Sequence, residues 1–413
     1  SGSVKVPGDK SISHRALIMA SICQGKSLIR DPASGADVLA TRHCLIDLGI
    51  EVDVNGREVT VNGQGWDPIE KADLECRNSG STMRLLAGPL AGVAGSYRLT
   101  GDSSLSRRPM DRIAGPLRLM GATIDLQQDR YPPMSLTGGS LRGISYQSPV
   151  ASAQVKGAVL LAGLFAEGPT ALEELHPTRD HTERMLSWLG ARVHAQEKSI
   201  TVSGPFTSKG FEIDVPGDIS SAAYWIAAAL CVDGAEIEIK SVGLNPTRIA
   251  FIHLLKQMGG SVEMTDRSEG PEPFGDVVAR SSGVLKGIQV GADLVPLLID
   301  ELPMIALLAT QAIGTTTITG AEELRVKESD RISSLVEPLR SLGADIEEHA
   351  DGMVIHGPTE LVGGTVDPKG DHRIALTMAV AGLIAKEPVI VSGWECTDVS
   401  YPGFLDDLSA LTR

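Results

Sequence analysis

The sequence is short of aromatic residues and of positive charge, and each shortage narrows the class of protein. Phe, Trp and Tyr make up 4% of the 413 residues, and 37 Lys and Arg face 52 Asp and Glu, for a formal net charge of −15. Nucleic acids and anionic membranes bind proteins that carry surplus positive charge, so neither is expected as a partner of this acidic chain. The longest apolar runs, residues 157–166 and 374–385, are shorter than the roughly 20 residues that span a bilayer.

Cysteine is also scarce, with 5 residues in the chain and no metal-type spacing between them. Cys23 and Cys231 stand inside apolar segments, where a thiol usually does no more than pack. The lack of a disulfide framework favours a reducing compartment. We therefore expect a cytoplasmic protein.

What the chain does have is glycine, with 45 residues, and a repeat. Residues 4–23, VKVPGDKSISHRALIMASIC, predict a short strand, a Pro-Gly turn and a helix that is apolar on nearly every face. Ser11 or Ser13 is the predicted N-cap of this helix. Residues 215–231, VPGDISSAAYWIAAALC, repeat the turn, the hydroxyl pair and the buried helix.

Helix-ending glycines mark further copies of this unit. Glycine is the usual residue just after a helix because it accepts positive φ. The marker glycines lie 72, 69, 69 and 84 residues apart, at Gly49, Gly121, Gly190, Gly259 and Gly343. With a partial copy at the end, six units account for the chain and predict two domains of three repeats.

The two Val-Pro-Gly-Asp turns set the predicted domain boundaries. If the second turn crosses between domains, its twin near the start should cross as well. The predicted N-terminal domain is therefore residues 10–215, and residues 1–9 join 216–413 in the C-terminal domain. Within the first repeat, residues 50–61 predict a hairpin that turns at Asn55-Gly56, a strong type I′ signal.

Cationic side chains recur at or near the starts of the apolar helices. A helix N-terminus carries free N–H donors and partial positive charge, so cations added there make an anion site. The cations are Lys10, Arg15, Arg84, Arg107, Arg108, Arg179, Arg325, Lys327, Arg331 and Arg373. For any one of these short charged segments, ion pairing between its own side chains along a solvated helix face is the simpler explanation. Their recurrence in an acidic chain favours a shared site for more than one anionic group.

Asp300 and Glu328 are carboxylates that accompany these cations and do not fit a site for anions alone. A carboxylate inside an anion site weakens binding unless it moves protons. The pair therefore indicates acid–base chemistry rather than binding alone.

Eight motifs, in order along the chain, resemble the 5-enolpyruvylshikimate-3-phosphate (EPSP) synthase family. They are VPGDKSISHR, NSGSTMRLLAG, SRRPM, ASAQVKGAVLLAGL, RDHTE, NPTR, ELRVKESDRI and GDHRIA. The resemblance covers essentially the full chain. It implies a two-domain inside-out α/β barrel, each domain with three βαβαββ-type pseudo-repeats around parallel buried helices, and an active site in the interdomain cleft.

The resemblance also implies the reaction. The enolpyruvyl group of phosphoenolpyruvate passes to the 5-hydroxyl of shikimate 3-phosphate, with release of phosphate, by addition–elimination through a tetrahedral intermediate. This step serves chorismate and aromatic amino-acid biosynthesis. The resemblance further implies small-molecule partners only, no metal, no organic cofactor, a monomer, and a target of the inhibitor glyphosate, which mimics phosphoenolpyruvate.

Site residues carry over from the family by position. The implied contacts of shikimate 3-phosphate are Lys10, Ser11, Arg15, Ser152, Ala153, Gln154, Arg179, Asp300 and Lys327. Those of phosphoenolpyruvate are Lys10, Gly80, Arg108, Gln154, Arg331 and Arg373. The implied catalytic residues are Asp300, Glu328 and Lys10. One carboxylate takes the hydroxyl proton, and the other protonates the methylene carbon of phosphoenolpyruvate.

Two positions depart from the family pattern. SAQVK and RDHTE resemble a glyphosate-tolerant branch, which often has Ala where this chain has Gly80. Many members carry a Lys near the C-terminus where this chain has Val399. One phosphate or carboxylate contact is therefore missing or supplied elsewhere.

Two alternatives stay open. UDP-N-acetylglucosamine enolpyruvyl transferase shares the fold and the phosphoenolpyruvate chemistry. That family usually has a Cys in the loop corresponding to residues 101–112, where this chain has none. A non-enzymatic anion-binding scaffold is the other alternative, and it would have no use for Asp300 and Glu328.

Overall fold

The computed structural model describes residues 1–267, 270–281 and 283–412, and buried helices alternate in it with small sheets. The helices are α1 Lys10–Ile22, α2 Ala36–Asp47, α3 Gly80–Ala91, α4 Asp111–Met120, α5 Ala153–Gly163, α6 His181–Trp188, α7 Ile219–Cys231, α8 Ala250–Gln257, α9 Val295–Leu298, α10 Leu302–Gln311, α11 Arg331–Ser341, α12 His372–Ala381 and α13 Phe404–Leu411. Short 3-10 turns cover Leu105–Arg107, Glu322–Val326 and Trp394–Val399.

The strands are mostly short and lie between these helices. They are β1 Gly2–Val4, β2 Gln24–Arg30, β3 Glu51–Asn55, β4 Glu58–Gln64, β5 Lys71–Glu75, β6 Gly95–Thr100, β7 Thr123–Gln127, β8 Tyr131–Gly138, β9 Leu141–Arg142, β10 Ser145–Gln147, β11 Ala166–Glu167, β12 Pro169–Glu173, β13 Arg192–Gln196, β14 Ser199–Ser203, β15 Glu212–Asp214, β16 Glu236–Gly243, β17 Ser261–Arg267, β18 Phe274–Arg280, β19 Gln289–Val290, β20 Gly314–Ile318, β21 Asp345–His349, β22 Gly352–Gly357, β23 Gly364–Val366 and β24 Val389–Val391.

One sheet pattern recurs along the chain. In the first copy, β2 pairs in parallel with β15 and antiparallel with β4, which pairs antiparallel with β3. The same order of pairings gives the sheets β5-β6-β8-β7, β10-β12-β14-β13, β1-β16-β18-β17 and β19-β20-β22-β21. The last repeat forms the parallel pair β23-β24. The predicted mixed α/β class is confirmed, whereas the inside-out barrel stays a prediction because these described sheets are open.

The chain forms two compact units. Unit 1 contains Ser1–Pro7, Pro216–Glu269 and Pro273–Arg413, and unit 2 contains Gly8–Val215 and Gly270–Glu272. Two of the changes from one unit to the other fall within the Val-Pro-Gly-Asp turns. The assignment of whole domains, with an active site in a cleft, stays a prediction.

Each unit has an aliphatic core built around three buried helices. In unit 2 these are α1, α3 and α5, and in unit 1 they are α7, α10 and α12. Gly88 lets α3 approach α5 closely, because a Cβ there would lie 2.4 Å from the Ala158 carbonyl oxygen. A cluster of aromatic rings lies in unit 1, where Trp225 stacks on Phe404 with 4.7 Å between ring centroids. Trp225 also donates a hydrogen bond to the hydroxyl of Tyr401.

The predicted N-cap of α1 is wrong. Asp9 caps the helix instead: its carboxylate accepts from the Ile12 backbone N–H at 2.9 Å. Because α1 already begins at Lys10, Ser11 and Ser13 lie within its first turn, and the capping side chain must stand just before it. The Ser13 hydroxyl donates to the Asp9 carbonyl oxygen. In the twin helix α7, the corresponding Asp218 is also the cap, and its carboxylate accepts from the Ser220 backbone N–H at 2.8 Å.

Candidate active site

The N-terminus of α1 presents Lys10 in unit 2. The Lys10 ammonium lies 2.8 Å from the carboxylate of Asp37, the second residue of α2. Asp37 is buried and the Lys10 side chain is 17% exposed, so this ion pair fixes where the ammonium points. Asp37 is absent from the predicted site, since an acidic residue in a first helical turn has a sufficient local explanation in the helix dipole.

The N-terminus of α3 gathers two guanidinium groups beside Gly80. The Arg84 Nη1 donates to the Gln154 side-chain oxygen at 2.5 Å. The Arg108 Nη2 donates to the Asn78 side-chain oxygen at 2.6 Å. A Cβ on Gly80 would lie 2.8 Å from Arg84 Nη1 and 3.5 Å from Arg108 Nη1. The glycine therefore leaves open the space directly in front of two cations.

Arg15 is a buried cation between α1 and α6. Its Nε donates to the Thr182 hydroxyl at 2.7 Å, and its Nη1 donates to the Ser11 carbonyl oxygen at 2.9 Å. Burial, opposed by the charge of Glu183 and assisted by that of Arg179, lowers the pKa of Arg15 to about 10. Arg15 still carries its charge at neutral pH, and two neighbouring cations with little access to water favour an anionic partner.

A buried ion cluster lies beside Arg15. The Lys156 ammonium lies 3.0 Å from the Glu174 carboxylate and 2.7 Å from the Glu183 carboxylate, and all three side chains are at most 8% exposed. Burial raises the pKa of Glu183, and the charge of Lys156 counteracts that rise. The single ammonium therefore holds two buried carboxylates together.

In unit 1, Asp300 lies between two guanidinium groups. The Asp300 Oδ1 is 3.2 Å from Arg373 Nε and 3.5 Å from Arg331 Nη1. Arg373 Nη1 also donates to the Asp300 carbonyl oxygen at 3.5 Å. Asp300 remains 17% exposed while Arg331 is 1% exposed, so the carboxylate is the accessible member of the group.

The same Arg331 reaches Glu328 and Asp371. Its Nη2 donates to the Glu328 carboxylate, and its Nε donates to Asp371 Oδ2 at 2.9 Å. Lys327 stands next to Glu328, and its pKa is lowered by burial, while the charge of Asp300 opposes the change. One guanidinium thus fixes the carboxylates of Asp300 and Glu328 relative to each other.

Comparison with known proteins decides the family. A family model described as EPSP synthase (3-phosphoshikimate 1-carboxyvinyltransferase) matches residues 1–408. The chain belongs to the EPSP synthase family. The predicted family and enzyme class are confirmed. The two alternatives, a nucleotide-sugar transferase and a non-enzymatic scaffold, are therefore set aside.

Relatives support the EPSP synthase assignment over nearly the whole chain. A 3-phosphoshikimate 1-carboxyvinyltransferase of Bacillus velezensis is 47% identical over 417 residues, covering 100% of this chain and 97% of its own length. One of Geobacillus kaustophilus is 49% identical over 416 residues, covering 99% and 97%. An EPSP synthase structure from Acinetobacter baumannii has a TM-score of 0.87 at 42% identity, covering 99% of this chain and 95% of that chain.

The predicted EPSP synthase residues fall into two groups, one in each unit. The unit 2 group is Lys10, Ser11, Arg15, Gly80, Arg108, Ser152, Ala153, Gln154 and Arg179. The unit 1 group is Asp300, Lys327, Glu328, Arg331 and Arg373. In unit 2, Ser152 caps α5 by accepting from the Val155 N–H, which places Ala153 and Gln154 in its first turn. Their contacts with substrates stay predictions.

Sequence reasoning missed several buried groups beside the predicted EPSP synthase site. The missed residues are the buried Asp37, Lys156, Glu174, Glu183 and Glu272 and the half-buried Asn78. Glu272 pairs with His181 at 2.8 Å. Lys156 offered a usable signal, because a Lys inside an apolar helix must find a counter-charge. In the described ranges there is no group of three or more His, Cys, Asp or Glu placed to hold a metal ion. Within the same ranges, no helix has both the length and the apolar content for a membrane span.

A buried hydrogen-bonded chain joins α1 to α3. The His14 Nδ1 lies 2.7 Å from the Thr41 hydroxyl, which lies 2.7 Å from the Thr82 hydroxyl. Thr82 in turn bonds to the Ser79 hydroxyl at 2.7 Å, immediately before Gly80. Burial holds the pKa of His14 well below its usual value, and the charges of Lys10 and Arg15 lower it further.

We expect His14 to make the fold acid-sensitive. Below about pH 6.5 the unfolded chain takes up a proton at His14 that the folded chain refuses, so the free energy of unfolding falls by up to ~1.4 kcal/mol per pH unit. Above that pH the contribution is constant. Urea unfolding between pH 7.5 and 5 should show a shallower acid slope for His14→Asn than for the unmodified chain. The exposed His349→Asn is the matched control, and equal slopes for all three chains would contradict the expectation.

Proposed function

We propose that the chain transfers the enolpyruvyl group of phosphoenolpyruvate to the 5-hydroxyl of shikimate 3-phosphate and releases phosphate. The observation that carries this proposal is the Asp300–Arg331–Glu328 arrangement, in which one buried guanidinium orients two accessible carboxylates. The first half removes a proton from the hydroxyl oxygen and adds one to the methylene carbon, and the second half removes a proton from that carbon and gives one to the leaving phosphate. A fixed pair of carboxylates fits that requirement.

In the proposed mechanism, Asp300 takes the proton of the 5-hydroxyl as its oxygen bonds to C2 of phosphoenolpyruvate. Glu328 gives a proton to C3, which becomes a methyl group in the tetrahedral intermediate. In the second half, C3 gives a proton back to Glu328, the double bond re-forms, and the bond from C2 to the phosphate oxygen breaks as Asp300 gives its proton to the leaving phosphate. Arg331 and Arg373 offer guanidinium groups suited to the carboxylate and phosphate of phosphoenolpyruvate.

The unit 2 residues have the charge that the proposed substrates need. Lys10 and Arg108 offer cations near Gly80 and α1 for phosphoenolpyruvate, with Gln154 alongside. Arg15 and Arg179 suit the phosphate and carboxylate of shikimate 3-phosphate, helped by the N-terminus of α5. In unit 1, Lys327 and Asp300 are the proposed further contacts of shikimate 3-phosphate.

We also propose the finer features that the resemblance implies. These are the inside-out barrel, the domains 10–215 and 1–9 with 216–413, an interdomain active site, a monomer, and a cytoplasmic location without nucleic-acid or membrane partners. The recurring sheet order supports the barrel repeats. The charge of −15 and the 5 scattered cysteines support the location and the lack of polyanionic partners.

The experiment that tests the proposed function measures phosphate release from phosphoenolpyruvate with different acceptors. We expect catalytic release with shikimate 3-phosphate, and release at least ~100-fold slower with shikimate, which lacks the charge that Arg15 and Arg179 would bind. UDP-N-acetylglucosamine should give none. Release with the nucleotide sugar, or no release with any acceptor, would contradict the proposal.

Gly80→Ala should weaken the binding of glyphosate more than the binding of phosphoenolpyruvate. The added methyl would lie 2.8 Å from Arg84 Nη1 and intrude on the space in front of it. An overpacking cost of about 1–3 kcal/mol corresponds to an inhibition constant raised roughly 5- to 150-fold. The Michaelis constant for phosphoenolpyruvate should rise less, because glyphosate is the longer molecule.

Both constants should be measured for the unmodified chain and for the variant. Gly115→Ala is the control, since a Cβ there would meet no atom within 4 Å beyond its chain neighbours and its own helix backbone, and it should change neither constant. Equal inhibition before and after Gly80→Ala would show that the response to glyphosate is set elsewhere in the chain.

A further inference from the structure

Glu301 is a buried carboxylate that the proposed reaction does not use. Its side chain is 0% exposed, and it directly follows Asp300 in the chain. The Glu301 Oε1 accepts from the Ser220 hydroxyl and from Arg248 Nη2, the latter at 3.3 Å. The Oε2 is buried and has no hydrogen-bond partner among the described residues. Burying a carboxylate is costly, so this one needs a reason to be inside.

The groups around Glu301 form a site for an anion at the start of α7. Ser220 is the second residue of that helix, and Arg248, only 3% exposed, donates to its hydroxyl at 2.8 Å. The twin helix α1 has the same combination at its N-terminus, with Ser11 as the hydroxyl and Arg15 as the buried guanidinium. In unit 1 the chain's own carboxylate occupies this position, as a bound anion would.

The side chain of Glu301 does not cap its own helix, α10. Glu301 is the N-cap residue of α10, yet it makes no side-chain capping bond there. It reaches instead to α7 and Arg248. An N-cap carboxylate would ordinarily accept from its own first turn, so the observed contacts tie the start of α10 to α7.

That tie bears directly on Asp300, because one peptide bond joins the two residues. Asp300 meets Arg373 through both its carboxylate, at 3.2 Å, and its carbonyl oxygen, at 3.5 Å. Both contacts depend on where the Asp300 backbone lies. Misplacing a reacting group by about 1 Å can cost on the order of 100-fold in rate.

We propose that Glu301 is a positioning residue for Asp300: its carboxylate, bound by Ser220 and Arg248 at the start of α7, holds the Asp300 backbone in place for proton transfer. This inference rests on the proposed function, in which Asp300 takes the hydroxyl proton. A purely structural Glu301 would lower stability without changing turnover of the folded enzyme.

The test compares Glu301→Ala and Glu301→Gln with the exposed control Glu347→Ala. Each variant is first checked for folding by circular dichroism and for binding of shikimate 3-phosphate by titration calorimetry. We expect Glu301→Ala to bind that substrate within a few-fold of the unmodified chain and to lose ~10- to 100-fold in kcat. Glu301→Gln keeps an oxygen that can accept from Ser220 and should lose less, and Glu347→Ala should lose nothing.

Formate separates a tether from a bound negative charge alone. It supplies a carboxylate to the space that Glu301→Ala leaves beside Arg248 but no bond to residue 301, so a tether predicts that formate, like chloride at equal ionic strength, leaves kcat of this variant low. Folded Glu301→Ala with unmodified kcat, or a lost kcat that formate restores, would overturn the inference. If Glu301→Ala does not fold, kcat of Glu301→Gln decides instead, and a kcat equal to that of the unmodified chain overturns it.

Asp300→Asn, assayed in parallel, keeps the two proposals distinguishable. Full turnover by Asp300→Asn would contradict the role of Asp300 in the proposed function, whatever Glu301 does. An inactive Asp300→Asn beside a fully active Glu301→Ala would contradict the positioning role alone.

Discussion

Asp300→Asn is expected to lower turnover by ~100-fold or more, the usual scale for a lost general base. The amide keeps the shape of the carboxylate but cannot take the proton of the 5-hydroxyl. Binding of shikimate 3-phosphate should be retained or strengthened, because Arg331 and Arg373 lose the negative charge that Asp300 places at 3.5 Å and 3.2 Å from them.

Steady-state kinetics with both substrates and calorimetric binding of shikimate 3-phosphate measure the two effects of Asp300→Asn. Asp345→Asn, an exposed substitution of the same kind on β21, is the matched control and should leave both unchanged. Turnover within a few-fold of the unmodified chain would make Asp300 an orienting residue and move the base role to another group.

Lys156→Met is expected to lower the free energy of unfolding by about 3–5 kcal/mol, the usual cost of removing one partner from a buried ion pair. The methionine leaves Glu174 and Glu183 as two carboxylates with no ammonium between them. Adding Glu183→Gln to the variant should restore part of the loss, because it removes one of those charges. Arg15 remains as a cation on which the charge of Glu183 acts.

Urea unfolding at pH 7 measures the effect of Lys156→Met on the free energy of unfolding. Lys26→Met, on the exposed end of β2, is the control and should change that free energy by less than about 0.5 kcal/mol. A loss below about 1 kcal/mol for Lys156→Met would mean that water or a proton compensates the two carboxylates.

Local patterns predicted the elements well and their ends less well. The apolar helices were recognised because α1 and α7 are buried on every face. The hairpin of β3 and β4 was also recognised, but Asn55 pairs with Glu58, so the central residues of its turn are Gly56 and Arg57. Positive φ is found at Gly56 and not at Arg57. That pattern fits a type II′ turn rather than the predicted type I′ turn.

The buried ion pairs that support the predicted site could not be predicted from local sequence patterns. Glu301 meets Arg248 across 53 residues of chain, and Lys156 meets Glu174 across 18. Spacing along one helix reveals pairs three or four residues apart, whereas these pairs exist only once the sheets and helices have packed. Family motifs supplied the residues implied to touch substrate, and the structure supplied the buried charges that hold some of them.

The most direct test of the proposed reaction is to run it in deuterium oxide with shikimate 3-phosphate and phosphoenolpyruvate, and to record the proton NMR spectrum of the product. Addition–elimination places a solvent-derived proton on C3 of the enolpyruvyl group before a proton is lost from the same carbon. The predicted result is phosphate release together with deuterium in the vinyl methylene of the product. Phosphate release with an unlabelled methylene, or no release at all, would contradict the mechanism.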